Sequence, residues 1–568
     1  MSLPLLAIVT IAVLVLGYNS YGRFVAAQYR LDDSVPTPAV TVNDGVDFVP
    51  ARPFYLLGQH FSAIAAAGPI AGPILACQQF GWLPCILWIG LGVVFIGAVH
   101  DFSSLVASVR HHGRTIAEIV RETLGPRAWV AIMLFIWIAL IYVIVAFADI
   151  TASTFVSGGE DLEGQPLAFN PGGAVAAASV MYLLLSVLMG FVERFLKPPL
   201  WLLTVTFVPA TLAVVWLGTQ ISTWLLFSTQ TWGLTILAYC FVASLVPVWA
   251  LLQPRGYLGG FVLYLALFVG VTGLFLGGFE IKQAAFKTWQ GPGATGALFP
   301  FLFVTIACGA CSGFHGLVCS GTTSKQISKE SHCRAVGYGG MLLEGFVALI
   351  ALATVMMLAP SETTGLTPGA IYGAGLGRFL AVLIGDQYMA FAVTFGAMAF
   401  STFVFDTLDV STRLGRYVVQ ELLGWTSPAG ALAATAATVL PPAFFIVVSG
   451  EGSYRTFWTL FGTSNQLLAS LTLLAISVWL HRSGRRYWFT LLPMLFVMTI
   501  TMWSLLIQAA AVYEAFSTGG SGLGTASLNG IVAFLLMALA AFLILEGARS
   551  LWKPQPAVVS SSSQTPRN

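Results

Sequence analysis

Apolar runs of about 20 residues, the length a helix needs to cross a hydrocarbon core about 30 Å thick, follow one another along most of the chain. They predict about fifteen membrane-spanning helices, near residues 2–18, 59–80, 82–109, 127–156, 173–191, 198–218, 230–251, 256–277, 297–322, 336–358, 386–410, 428–449, 456–480, 487–510 and 528–548. The stretch 369–384 is shorter and contains Arg378; it reads as an interfacial or re-entrant piece. The first run, Leu3 to Gly17, has no basic segment ahead of it and no small-residue cleavage site, so a retained helix is expected rather than a signal peptide.

The polar positions between the runs carry a second pattern. Alternate loops hold Arg23 and Arg30, Arg110 to Arg127, Arg194 and Lys197, Arg255, Lys325 to Arg334, Arg413 and Arg416, Arg482 to Arg486, and Arg549 to Lys553. The opposite loops hold Glu160, Asp161 and Glu163, the segment around Glu451, and the mixed group Glu280, Lys282 and Lys287. Basic residues gather on the cytoplasmic side of membrane proteins. The alternation therefore places the N-terminus outside and the C-terminus in the cytoplasm of a cell-membrane protein. The Ser/Pro-rich stretch from Gln555 to Asn568 reads as a disordered tail.

Composition strengthens this picture. Apolar residues make up 57% and charged residues 8% of the 568, where soluble domains carry about 25% charged residues. Lipid is the only solvent that suits such a surface. The net charge of +2 comes without a basic stripe interleaved with aromatics, which argues against nucleic acid as a partner. The seven cysteines lie mostly in apolar runs and do not form a secreted disulfide framework.

Two runs are interrupted. The second contains Gly68-Pro69-Ile70-Ala71-Gly72-Pro73 and the ninth contains Gly309-Ala310-Cys311-Ser312-Gly313-Phe314-His315-Gly316. Proline removes a donor and glycine weakens a helix, and a break survives in lipid only where it lines an enclosed cavity. The two runs face opposite ways and each opens a set of five. This predicts an all-α polytopic membrane protein with a five-plus-five inverted-repeat (LeuT-like) core. The expected division is 1–56, an N-terminal helix and loop; 57–220, the first repeat; 221–295, two intervening helices; 296–482, the second repeat; 483–552, two C-terminal helices; and 553–568, the tail. Such breaks offer free N–H groups to a carboxylate and free carbonyls to a cation.

Several segments resemble the carbon starvation protein A (CstA) family of peptide and pyruvate transporters. They are Arg52-Pro53 to Gly72-Pro73, Val99-His100-Asp101-Phe102, Ala307-Cys308-Gly309 to Phe314-His315, Ser320-Gly321-Thr322-Thr323-Ser324-Lys325, Met341-Leu342-Leu343-Glu344-Gly345, and Leu460-Phe461-Gly462-Thr463-Ser464-Asn465-Gln466-Leu467-Leu468-Ala469. The resemblance runs over roughly residues 50–480. It implies ion-driven uptake of a small carboxylate such as pyruvate, or of short peptides. The coupling cation would be a proton or sodium, with no cofactor.

Ionisable groups inside a membrane cost about 2.5–3.5 kcal/mol on insertion scales and are read as functional. Glu344 falls near mid-membrane in the tenth run and is the candidate proton carrier. Asp101 and Asp406 sit toward the inner ends of the third and eleventh runs, as gate ion pairs or caps. His60 and His315 lie on or beside the breaks. Ser312, Gly313, Phe314 and His315, with Gly68, Pro69 and Gly72, form the expected substrate cradle, and Asn465 and Gln466 add polar groups. By resemblance to inverted-repeat sodium symporters, Ser401 and Thr402 with the backbone near Ala66 and Ile70 would hold sodium. Asp149, near the outer end of the fourth run, could belong to an outer gate, though a snorkelling position is the simpler reading. Cys308 and Cys311 form a C-x-x-C without the second such motif that a zinc site usually carries.

Other classes fit less well. An enzyme lacks support from any H-E-x-x-H or G-x-x-x-x-G-K motif. A channel would call for rings of selectivity groups. A nutrient sensor would need an output domain, which a protein regulator would have to supply.

Overall fold

The computed structural model describes residues 2–45, 47–157, 169–291, 293, 295–449, 454–517 and 525–552. Glu160, Asp161, Glu163, Glu451 and the tail from residue 553 lie outside the described residues. The described chain is helical almost throughout, and its extended pairing is limited to two isolated bridges.

In chain order the long elements are α1 (Leu3–Tyr29), the bent pair α2 (Pro53–Ile64) and α3 (Gly68–Phe80), α4 (Trp82–Arg110), α5 (Pro126–Val156), α6 (Pro171–Leu196) and α7 (Leu200–Gln220). Next come α8 (Thr229–Leu245) and α9 (Leu252–Leu276). The broken pair α10 (Leu298–Thr305) and α11 (Gly313–Val318) precedes α12 (Arg334–Met356). Then follow α13 (Pro368–Ile384), α14 (Asp386–Leu423), α15 (Pro428–Val448), α16 (Tyr454–Arg482), α17 (Trp488–Ser517) and α18 (Thr525–Trp552).

Twelve helices among the described residues are long and apolar enough to cross a membrane, thirteen if α2 and α3 count as one. The protein is thus a multi-pass membrane protein. Each of the fifteen predicted runs has a helical counterpart, but two fall short as single spans. One is α8, which stops at Leu245 instead of near 251: Val246 turns extended ahead of Pro247, and the Arg413 guanidinium caps the end, donating to the carbonyls of Ala243 and Val246 at 2.8 Å. The other is the α10–α11 pair, interrupted over residues 306–312.

Local chemistry sets the helix starts. Proline occupies the first turn of α2, α3, α5, α6, α13 and α15, where its missing N–H is no loss. Asn170, Ser228, Thr367 and Ser427 accept N-terminal amides as side-chain caps. Pro69 is one of these starting prolines. The first break therefore falls at Ala65–Ala67, ahead of the Gly-Pro pair rather than within it, and bends the pair by 48°.

Burial sorts the helices into centre and rim. The apolar windows of α16 and α12 are 94% and 83% buried, against 28% for α7 and 33% for α18. Helices buried on all sides form the interior of the bundle; those buried on one side face lipid. Stretch 369–384, expected as an interfacial or re-entrant piece, is the helix α13, mostly buried and packed along α14, with Arg378 paired to Glu362.

The loops with basic residues meet at one end. Arg110 pairs with Glu330, Arg482 donates to the Thr123 carbonyl at 2.6 Å, and Arg334 donates to the Tyr18 carbonyl and stacks on its ring. Lys282 and Lys287 instead meet Glu362 and the Gln78 carbonyl.

Candidate functional site

The two broken elements cross beside their breaks. A Cβ built on Gly68 would lie 2.5 Å from Cys308 Sγ, and one on Gly72 would lie 2.6 Å from the Thr305 carbonyl. Only glycine permits this approach. Gly68, Pro69, Gly72, Ser312 and Gly313 are all buried in the crossing.

A helix end leaves its last carbonyls without helical partners. At the end of α10 three of these are taken by side-chain donors. Gln466 Nε2 donates to Phe303 at 2.9 Å, Trp458 Nε1 to Thr305 at 3.1 Å, and Trp88 Nε1 to Ile306 at 3.1 Å. Asn465 holds the start of α11: its Oδ1 accepts the Phe314 amide at 2.9 Å and its Nδ2 donates to Ser312 Oγ at 3.0 Å and Cys308 Sγ. Asn465 and Gln466 thus brace the second break. At the first break, no side chain among the described residues donates to the carbonyls of residues 62–66. The two breaks differ in this respect: side chains cap the second, whereas at the first the Ile64 carbonyl accepts the Ala66 amide at 2.8 Å and no side chain caps its neighbours.

Next to the capped break lies a chain of buried charged groups. His315, in the first turn of α11, places Nδ1 2.9 Å from Asp101 Oδ2 and Nε2 3.1 Å from Glu344 Oε2. Asp101 Oδ1 meets His100 Nδ1 at 2.7 Å. All four side chains are at most 1% exposed. Both Glu344 oxygens lack an aligned hydrogen bond, as do His100 Nε2 and the hydroxyls of Ser103 and Ser104. His60 sits alongside, with Nδ1 2.9 Å from Thr323 Oγ1 and Nε2 near Cys319 Sγ.

Each strand of this cluster is a locally unwound helix. A π-turn at Val93–Gly97 precedes Asp101, one at Arg334–Tyr338 precedes Glu344, and one at Cys319–Thr323 follows His315. A π-turn displaces the regular carbonyl ladder and recurs at functional sites. Here it links two elements: Tyr338 Oη donates to the Val94 carbonyl at 2.8 Å.

Asp406 belongs to a second centre. Arg255, 1% exposed, places Nη2 2.6 Å from Asp406 Oδ1 and Nη1 2.5 Å from Asp409 Oδ2. Tyr239 Oη donates to Asp409 at 2.7 Å and Tyr182 Oη to the Arg255 carbonyl at 2.9 Å. Asp409 is closed off while the Asp406 side chain is 25% exposed. With two carboxylates on one guanidinium, the centre carries one excess negative charge when all are ionised.

Ser401 and Thr402 lie on α14 beside this second centre. Ser401 Oγ pairs with Ser179 Oγ at 2.7 Å and bonds the Met398 carbonyl, and Thr402 Oγ1 is buried without a partner. Ala66 and Ile70 lie at the first break, whose helices pack mainly on α12, α13 and α10. Gly259 and Gly260 of α9 lie between the two groups, the first approaching Thr402 and the second Ser62 of α2. Asp149 is buried rather than snorkelling, and accepts the Tyr454 amide at the start of α16. The seven cysteines are free, and no set of three His, Cys, Asp or Glu side chains suited to a metal occurs among the described residues.

Sequence reasoning missed the centre around Arg255, which reads as a loop residue because it lies one turn into α9. The signal available was Asp406 and Asp409, three apart and hence on one helix face. His100 appears in a quoted motif but its role as the second ligand of Asp101 follows only from the fold.

A family model for carbon starvation protein CstA matches residues 3–373 and 362–504. The chain is 34% identical over 583 residues to the peptide transporter CstA of Campylobacter jejuni, covering 90% of this chain and 80% of the relative. It is 31% identical to the pyruvate/proton symporter BtsT of Escherichia coli, covering 88% and 81%. Among solved structures, a mutant of the Eremococcus coleocola manganese transporter aligns with a TM-score of 0.44 at 14% identity, over 90% of this chain and 99% of that one. The chain belongs to the carbon starvation protein CstA family, whose matched relatives carry the names of transporters.

Proposed function

We propose that this chain is a secondary active transporter that imports a small carboxylate such as pyruvate, or short peptides, into the cytoplasm by proton or sodium symport. The observation that carries the reading is the buried chain His100–Asp101–His315–Glu344 set against the crossing of two broken helices. Histidine between two carboxylates holds one positive charge against two negative ones, so the cluster has room for one more proton, with Glu344 as its carrier. At the other break, backbone carbonyls around Ala66 that no side chain caps would offer ligands to a cation. The names of the relatives support both substrates, peptide and pyruvate.

The five-plus-five repeat is part of this proposal. In it each broken pair, α2–α3 and α10–α11, would open a series of five spans; the close approach of Gly68 to Cys308 and of Gly72 to Thr305, where the pairs cross, supports it. Because the expected substrate residues are buried in that crossing, binding there requires the elements to part, which favours alternating access over a permanently open channel. The proposed setting is the cell inner membrane, with the N-terminus outside and the C-terminus in the cytoplasm.

Uptake of labelled pyruvate and of a labelled dipeptide into proteoliposomes, under imposed proton and then sodium gradients, tests the reading. Accumulation of one substrate under one gradient is expected. No uptake of either substrate under either gradient would sink it.

A further inference from the structure

Away from the broken helices, at the end where the basic loops meet, a cavity of about 630 Å³ opens. That volume lies within the range of small-molecule sites, about 300–1,000 Å³. Its walls come from segments distant in sequence: the end of α1 and the following loop, the end of α4, the loop before α12, and the turn between α16 and α17.

Three arginines border it: Arg30, Arg110 and Arg485. Arg110 and Arg485 converge on one acceptor, the Tyr29 carbonyl. Arg110 is neutralised there by Glu330, which accepts its Nε at 2.8 Å and its Nη2 at 2.9 Å. Glu330 has no oxygen aligned on Arg485; its remaining bond is from the Asp32 amide. The Asp32 carboxylate is turned to Ser34, accepting its amide and hydroxyl. Neither Arg30 nor Arg485 has an ion-pair partner among the described residues. Arg485 is half-buried, and burial followed by the charges of Arg110 and Arg30 holds its guanidinium below its ordinary range. Three guanidiniums thus face the two carboxylates of Asp32 and Glu330, which leaves one positive charge in excess, in a concave setting where arginine's planar fork can grip an oxyanion. Trp479 and Val109 add apolar wall for the body of a ligand.

We propose that this cavity binds a phosphate-bearing anion, held by the unpaired guanidiniums of Arg30 and Arg485. A phosphate monoester carries three acceptor oxygens, enough to bond both guanidinium forks at once, where a carboxylate offers two. Both a soluble phosphate compound and the headgroup of phosphatidic acid carry this chemistry. Once bound, the anion ties the end of α1 to the α16–α17 turn.

The full-length protein in phosphatidylcholine nanodiscs is titrated with inorganic phosphate at constant ionic strength, and compared with nanodiscs containing phosphatidic acid. A saturable rise in Tm is expected with at least one probe. Phosphate alone identifies a soluble ligand, and phosphatidic acid alone identifies a lipid. The rise is lost in R30A and R485A, and retained in R486A, which alters the exposed neighbour outside the cavity. Because the readout is the ligand-dependent increment, a lower starting Tm in a variant does not obscure it. No rise with either probe, or an equal rise in R30A and R485A, would overturn the proposal.

Discussion

At the residue scale the membrane makes each ionisable group expensive, so each must be held by a partner. Glu344, Asp101 and His315 hold one another. Their type and position inside apolar runs made them legible in the sequence. If Glu344 carries the coupling proton, Glu344→Gln abolishes proton-driven accumulation in proteoliposomes while counterflow exchange continues. Accumulation that persists in this variant would make Glu344 a structural residue. Arg255 leads to a different expectation. Its removal leaves two carboxylates facing each other in the bundle, and breaking a buried pair costs about 3–5 kcal/mol. Arg255→Met should therefore lower Tm sharply, and adding Asp406→Asn and Asp409→Asn should restore most of the loss. A triple variant no more stable than the single one would show that Arg255 matters through its shape. The local sequence offered only the carboxylate half of this centre, Asp406 and Asp409 on one face of α14; Arg255 comes from α9 and only packing joins them.

At the scale of the elements the breaks were legible as glycine and proline in apolar runs, but their positions were not. Pro69 looks like a helix breaker in a span and acts as a helix starter after Ala65–Ala67. The cause is positional: proline disrupts a helix interior and is favoured in the first turn. Likewise, Asn465 and Gln466 look like substrate ligands in sequence, whereas in the fold they hold the backbone of the second break. The crossing of the two broken pairs sets the next prediction. A methyl on Gly72 would meet the Thr305 carbonyl at 2.6 Å, a backbone atom that cannot swing away. Overpacking of this kind costs about 1–3 kcal/mol. Gly72→Ala should lower Tm accordingly and speed amide exchange in both α3 and α10. Exchange confined to α3 would mean that the two helices do not depend on each other.

At the scale of the whole molecule, hydropathy predicted a membrane bundle because twelve helices among the described residues hold an apolar window long enough to cross one. Hydropathy alone did not mark the centre, and its trend runs the other way: α16, with the lowest mean hydropathy of the twelve at 1.3, is the enclosed helix, and α7, at 2.0, faces lipid. Loop charge supplied what hydropathy could not, an orientation. The fold brings the loops carrying Arg110, Lys325 to Arg334 and Arg482 to Arg486 to one end, and Lys282 and Lys287 to a separate set of contacts. Basic residues resist transfer across the membrane during insertion, so the first end should be cytoplasmic. Exposed positions on the two sets make this testable: Lys329 on the first and Ala285 on the second. Six of the seven native cysteines are buried and Cys308 is enclosed between helices, so background labelling should be low. In intact cells a membrane-impermeant maleimide should label A285C and leave K329C untouched until the membrane is permeabilised. Labelling of K329C in intact cells, with A285C protected, would reverse the orientation and with it the direction in which the two breaks face.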